Sequence, residues 1–398
     1  MNDSSTADSH ATAGPLLTSR KHQGTAARAV AQRILTLERP QLLGSQPPAH
    51  LHPDHGGLVV CGAGASAQLQ ALRPAFHGVL AEDIAPYEKQ VATPKEPFDL
   101  PTEGMFGCEL PDVLQQQIDR GASFAITPTR YVRARDSASL KAIMEEVRRL
   151  ERDDVLVILP MSIGWLQDET ARKQLTAVIN LIPHPVGLIF GCQFNPMDNF
   201  AAAVLNLRTL LREAPGTGLW RTDMAGFDAL AHGGAFAAIG AGGPVRHLVP
   251  AGELPETSKK GGGPIYATVL VPEMLRFSGA KFLADTYANI PAPPCRCPQC
   301  RGTMLDSFFG AANAVKAAAN AHNIATWNTW LPALLTEQGT ERQRWWRNQC
   351  KLALDAQAAE NIRIGMPGRF APDTHLKKWA GLAIDGETAD PRGMPVKN

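Results

Sequence analysis

Eight short apolar runs punctuate the chain after residue 50, and they limit its possible folds more than any other feature. They are "GLVVCGA" from 57, "ASFAITP" from 122, "DVLVILPM" from 154, "VGLIFGCQ" from 186, "GLWRTDM" from 218, "AFAAIGA" from 235, "IYATVLV" from 265 and "AKFLADT" from 280. They are hydrophobic throughout rather than at alternate positions, as strands buried on both faces of a parallel sheet must be. Between several of them lie amphipathic stretches such as "SASLKAIMEEVRRLER" from 137 and "ETARKQLTAVINLI" from 169, whose apolar residues recur at helical spacing. Alternating strands and helices predict an α/β protein, and eight such strands predict a TIM-like (β/α)8 barrel, placed at residues 51–292. A doubly wound sheet is the alternative, but "CGAGAS" from 61 lacks the third glycine of a dinucleotide-binding turn in register. Segment 79–120 reads as an irregular excursion over one barrel end, and 244–264 as a long loop of the kind that builds barrel sites.

The 398 residues carry a net charge of +1, so any nucleic-acid binding must use a local patch. Residues 1–50, rich in Ser, Thr, Ala and Gly at their start, read as a disordered leader. The chain has no signal-peptide core and no run of roughly 18 apolar residues, which fits a cytoplasmic protein. Seven cysteines, an odd number with three clustered, fit a reducing compartment. Cys61, Cys108, Cys192 and Cys350 stand alone and read as buried free thiols. Residues 351–398 form a C-terminal extension whose last dozen residues are expected to be mobile.

The three clustered cysteines lie in "PPCRCPQC", 293 to 300. Cys295, Cys297 and Cys300 supply three thiolates from one proline-stiffened loop, and His322 on the Ala-rich helix that follows supplies an imidazole. Three thiolates and one imidazole make a zinc site with all four ligands from protein, hence one closed, structural ion in a zinc-binding subdomain at 293–350. The bland alternative is three reduced thiols and a helix-surface histidine. A closed site does not activate water, so the chemistry must lie elsewhere.

A barrel followed by C-x-C-x-x-C and then a helix bearing the pair His322–Asn323 resembles the tRNA-guanine transglycosylase superfamily, whose members exchange guanine for a 7-deazaguanine base. The motif-supported likeness covers roughly 215 to 335, and from 57 to 214 it rests on strand rhythm. The family's nucleophile is an aspartate at the end of the last barrel strand, shortly before the zinc cysteines. "SGAKFLADTYANI" offers Asp285 there, ten residues before Cys295 and without the family's following "PTR". A turn or cap residue is the alternative. The strand "AFAAIGAGG" resembles the family's "AIGGL" segment, which implies base contacts at Gly240, Ala241 and Gly242; a glycine-rich turn reads equally well. "LWRTDMAG" falls where the family reads the purine edge, implicating Arg221 and Asp223, with a buried ion pair between them as the alternative. Gln193 and Asn195 could hydrogen-bond a heterocycle or cap the next helix.

The chain also departs from the family. "ILPMSIGW" stands where "DSGGFQ" is expected, so Ser162 replaces an acid, and "GPVRHLVP" replaces a glutamate-bearing loop. Arg246 and His247 make that loop basic, suiting a phosphate or a solvated pair. The resemblance implies a double displacement: Asp285 attacks C1′, guanine leaves, and an incoming 7-deazaguanine attacks the glycosyl ester; the second acid–base group is left unassigned, with Asp223 as the candidate. The substrate nucleotide, in tRNA or DNA, must leave its stack. In "ERQRWWRNQCK", Arg342, Arg344, Arg347 and Lys351 interleave with Trp345 and Trp346, as in a backbone grip or in an amphipathic helix with its tryptophans in the core. Two rival readings remain: a degenerate zinc-containing barrel that binds nucleic acid or an active partner subunit, and a nucleoside glycosidase. A homodimer is a further expectation.

Overall fold

A computed structural model of the chain describes residues 20–101, 108–256 and 264–389. Eight parallel strands form the sheet: β1 (Ile34–Glu38), β2 (Leu58–Cys61), β3 (Leu80–Asp83), β4 (Ala125–Ile126), β5 (Val155–Ser162), β6 (Val186–Gly191), β7 (Thr217–Thr222) and β8 (Ala237–Gly240). Each neighbours the next in sequence, and β1 pairs with β8 from Ile34↔Ala237 to Leu37↔Gly240. At the β3–β4 seam the Ser123 N–H donates to the Leu80 carbonyl at 2.7 Å, nearly closing the ring. The molecule is therefore a TIM-like barrel.

Strand residues alternate between two buried layers, which explains the continuous hydrophobicity. On β5, Leu156 and Ile158 join Leu35, Val59, Phe124, Trp220 and Phe236 inside the barrel. Val155, Val157 and Leu159 face outward against the helices. Those helices are α1 (Thr25–Val30), α2 (Ala65–Leu72), α3 (Leu110–Asp119), α4 (Ser137–Arg148), α5 (Glu169–Leu181), the short α6 (Pro196–Asn199), α7 (Ala203–Glu213) and α8 (Ala225–Ala231). Beyond the barrel come an antiparallel hairpin of β9 (Thr268–Val271) and β10 (Arg276–Gly279), then α9 (Ala280–Thr286), α10 (Asn313–Thr336), α11 (Gly339–Arg363) and α12 (Thr374–Gly381). Asp228 of α8 braces this C-terminal layer: it accepts from Arg208 at 2.6 and 3.0 Å and from the Trp346 indole of α11 at 2.9 Å. Among the described residues no helix is long and apolar enough to cross a membrane.

Six of the eight expected strands lie in the barrel, and two expectations fail. "IYATVLV" contributes β9, which pairs only with β10. "AKFLADT" is helix α9: Ala280, Leu283 and Thr286 turn inward at helical spacing, and Lys281 pairs with Asp285 one turn on. The missing barrel strands are β1, inside the expected leader, and β3, inside the expected excursion. The barrel thus runs from Ile34 to Gly240 rather than over 51–292, and residues 20–50 are not a disordered leader. The 350/351 boundary also falls inside α11. The C-terminal extension carries helix α12, and most of its expected mobile end lies outside the described residues. Cys61 and Cys350 are buried as expected, whereas Cys108 and Cys192 are partly exposed.

All five β1 residues are buried, and the strand hydrogen-bonds on both sides. A chain truncated before Leu51 is therefore expected to lose the cooperative thermal transition of the full chain in circular dichroism. An unchanged transition contradicts β1 as a barrel strand.

Candidate functional site at the barrel mouth

The C-terminal ends of β7 and β8, the loop after β6 and the segment after β8 converge on a cleft of about 290 Å³. Asn195, Asp198, Asp223, Arg246, His247, Arg276, Phe277 and His375 are among the residues that line it. Barrel folds place their chemistry at this end because the βα loops there vary without disturbing the core.

A bulge aims the cleft's central carboxylate. The β7–β8 register shifts between Leu219 and Thr222, and Arg221 sits at φ 52°, in the left-handed region. Its buried guanidinium pairs with Glu88 at 2.5 Å and donates to the Pro244 carbonyl at 2.6 Å. Arg221 is thus a brace for the bulge, and its ionic partner is Glu88 rather than Asp223. Just past the bulge, Asp223 accepts from the Ala225 N–H at 2.8 Å, from Asn195 Nδ2 at 2.8 Å and from His247 Nε2 at 3.1 Å. Burial alone would raise the Asp223 carboxyl, but the His247 contact and the nearby His375 hold it well below the usual range. Asp223 is therefore ionised at neutral pH.

Asn195 caps α6, accepting from the Met197 N–H at 2.9 Å, and its amide nitrogen also holds Asp223. Gln193 donates to Glu253 at 2.6 Å and accepts from the Glu256 N–H at 3.2 Å, so it ties down the loop after β8. Gly240 is glycine for a close approach: a Cβ there would lie 2.4 Å from the Val245 carbonyl. Ala241 is buried, and Gly242 opens the turn just ahead of Arg246. Arg246 is no solvated loop residue. It is buried, donates to the Gly240 and Ala241 carbonyls at 3.2 and 2.9 Å, and lies over the Phe277 ring at 3.3 Å. Burial brings its guanidinium down to about 9.

Asp285 is not part of this constellation. It sits half-exposed on α9, bound by Lys281 Nζ at 2.7 and 2.9 Å, and not at the end of a barrel strand. The end of the last strand carries Gly240 and Ala241, with no carboxylate. Nor do the α11 cations form a free patch. Arg344 pairs with Glu341, Arg347 pairs with Glu387 at 2.5 Å, and Arg342 donates to Gln32 at 2.7 Å. Lys351 is exposed on the same helix, while Trp346 is core. The amphipathic-helix reading holds there.

Cys295, Cys297, Cys300 and His322 converge, with their ligand atoms all within 4.8 Å of one another. The three sulfurs lie 3.3, 3.6 and 3.2 Å from His322 Nδ1. His322 Nε2 faces the Leu270 carbonyl at 2.8 Å, a contact that fixes the tautomer and leaves Nδ1 for a ligand role. This group could hold a metal ion. Helix α10 also carries it to the barrel mouth. Asn323 donates to the Ala241 and Thr268 carbonyls at 3.0 and 2.9 Å and accepts from the Leu270 N–H at 2.7 Å. Asn320 donates to Glu38 at 2.6 Å.

Glu38, at the end of β1, escapes the sequence reading because its strand does. Burial pushes its carboxyl up to about 7, against hydrogen bonds from the Arg39 N–H and Asn320. His375 and Asp198, also unassigned from sequence, meet at 3.0 Å on the cleft wall. The one signal for His375 was a Pro-Asp-Thr-His helix start at 372–375.

No family model matches the chain, and no curated protein matches it. Among solved structures, it is similar to the carboxyl transferase domain from Rhizobium etli pyruvate carboxylase with 3-hydroxypyruvate, at 10% identity and a TM-score of 0.31. That match covers 90% of this chain and 58% of the other. A second match, Rhizobium etli pyruvate carboxylase T882A with the allosteric activator acetyl coenzyme-A, has 10% identity and a TM-score of 0.30 over 94% and 37%. The chain thus spans little more than half of the first and about a third of the second, and likeness this slight says nothing of its chemistry.

Two measurements check this geometry. Cys300→Ser is expected to lower bound metal and melting temperature together, and a chelator is expected to reproduce the loss in the wild type; a stable, metal-free wild type contradicts the site. Glu38 is raised in the folded state, so its contribution to stability is present below pH 4 and is lost as pH rises through about 7. Glu38→Gln is therefore expected to remove part of the fall in melting temperature between pH 5 and 8. An unchanged pH dependence contradicts a buried, late-ionising Glu38.

Proposed function

We propose that the chain is a base-exchange transglycosylase of the guanine-transglycosylase kind, with structural zinc beside the barrel and a guanine-type base held at the barrel mouth. One observation carries the reading: the His322–Asn323 pair joins the Cys3His cluster to the end of the last barrel strand. Three thiolates and an imidazole are zinc's preferred structural donor set, and sulfur-to-nitrogen separations across such an ion are about 3.6 Å. The distances of 3.2 to 3.6 Å fit that ion. With four protein ligands it supplies structure and no Lewis-acid step.

The chemistry falls to Asp223, because Asp285 is outside the cleft. Its carboxylate is ionised, fixed by three donors, and lies past a barrel strand end. In the exchange, an Asp223 oxygen forms a bond to C1′ of the flipped nucleotide as the C1′–N9 bond breaks, its electron pair leaving with guanine. An incoming 7-deazaguanine then forms a new C1′–N9 bond and releases Asp223, so two inversions keep the anomeric configuration. Asn195 and His247 orient the carboxylate throughout.

A second reading has its own support. The absence of a carboxylate after β8, where the resemblance implies one, suits a barrel that binds a base in nucleic acid without exchanging it. Exchange of labelled guanine into tRNA and into duplex DNA separates the two. The wild type is expected to incorporate label into one of them, and Asp223→Asn to lower the rate by at least about 10³-fold. Saturable guanine binding with no incorporation selects the binding-only barrel. Incorporation unaffected by Asp223→Asn sinks the assignment of the carboxylate.

A further inference from the structure

We infer that His375, positioned by Asp198, is the second acid–base residue of the cleft. This inference rests on the base-exchange reading and extends it by supplying the proton that reading leaves unassigned. Breaking C1′–N9 puts negative charge on guanine, and attack by the incoming base must shed the proton from its own N9. One group that first gives and then regains a proton serves both steps.

His375 has the geometry for that task. Its backbone N–H donates to one Asp198 oxygen at 2.6 Å, and its ring Nδ1 meets the other at 3.0 Å. Both oxygens of Asp198 are thus spent on fixing one imidazole. Trp379 meets the ring nearly edge-on, with centroids 4.6 Å apart, and sets its plane. Among the described residues Nε2 has no hydrogen-bond partner, and the residue lines the cleft. Asp198 lies on α6, three residues after Asn195, the residue that holds Asp223. A single short segment after β6 therefore positions both the carboxylate and the imidazole of the cleft.

The surrounding charges favour a ring that starts out loaded. Asp198, Asp223 and Asp373 lie around it, with Arg246, Arg276 and His247 also lining the cleft and Lys378 one turn along α12, bound to the Phe200 carbonyl at 2.9 Å. Burial works against the imidazolium, but the Asp198 contact and the neighbouring carboxylates outweigh it, so His375 is held above its ordinary value. In the exchange, the Nε2–H bond breaks and its proton goes to the departing guanine; the emptied Nε2 then takes the N9 proton of the incoming base. Protons and electron pairs balance over the cycle, and the enzyme is regenerated. A purely structural role, clasping α12 to the barrel, makes a different forecast, because it would cost stability without touching the pH profile.

The experiment is guanine exchange by the full chain, read as a pH–rate profile for wild type, His375→Gln and Asp198→Asn, with melting temperatures measured alongside. His375→Gln retains the backbone contact with Asp198 and is expected to fold, to lose about 100-fold in rate, and to lose the basic limb of the profile. Asp198→Asn is expected to move that limb to lower pH, because the carboxylate that favours the imidazolium is gone. Wild-type exchange with an unaltered profile in His375→Gln overturns this inference alone. A rate loss fully accounted for by lowered melting temperature, with the profile intact in Asp198→Asn, also overturns it. Absence of exchange by the wild type overturns the base-exchange reading, and the proton-transfer role falls with it.

Discussion

One buried amide joins the parts of this molecule. Asn323 is wholly buried on α10 and spends its side chain on three backbone groups: the Ala241 carbonyl at the end of the last barrel strand, and the Thr268 carbonyl and Leu270 N–H of the hairpin. Leaving such groups unpaired costs about 1–3 kcal/mol each, so the amide specifies how the hairpin meets the barrel. Its neighbour His322 completes the cysteine cluster and is oriented by the Leu270 carbonyl. The same helix reaches β1 through Asn320 and Glu38. Strand end, hairpin and cysteine loop are thus referenced to one helix face, and the cleft is built on that frame.

Within the cleft, charge is arranged in matched pairs. Asp223 meets His247, and Asp198 meets His375. Deeper in the mouth Arg221 and Arg39 share Glu88, while Tyr87 and Trp220 donate to Asp83 at 2.6 and 3.0 Å. Buried charges persist only when paired and hydrogen-bonded, and these pairings let a barrel interior carry several acids.

Much of the barrel was legible in the sequence because parallel strands buried on both faces read as uninterrupted apolar runs. β5 and β6 are plain cases. β3 was not legible, since "LAED" buries Asp83 inside the barrel and Glu82 against the helix layer, where Tyr87 and Trp220 satisfy the first and Arg120 the second only through tertiary contacts. β1 was hidden by the polar stretch before it. Asp285 was misplaced because "AKFLADT" has enough apolar residues for a strand, and only its spacing of inward residues and its Lys281 pair mark it as a helix. The convergence of Cys295, Cys297, Cys300 and His322 was legible, because the three thiols share one short loop and the imidazole lies on the next long helix. His375 was not, because it reaches the cleft from more than 130 residues beyond the end of β8.

Covalent trapping tests most directly whether Asp223 is the reacting carboxylate. A guanine-containing tRNA or duplex DNA is incubated with the full chain, denatured, and the cross-linked peptide mapped by mass spectrometry. The expected result is a glycosyl adduct on the peptide carrying Asp223, absent from Asp223→Asn. An adduct on the peptide carrying Asp285, or trapping that survives Asp223→Asn, would contradict it.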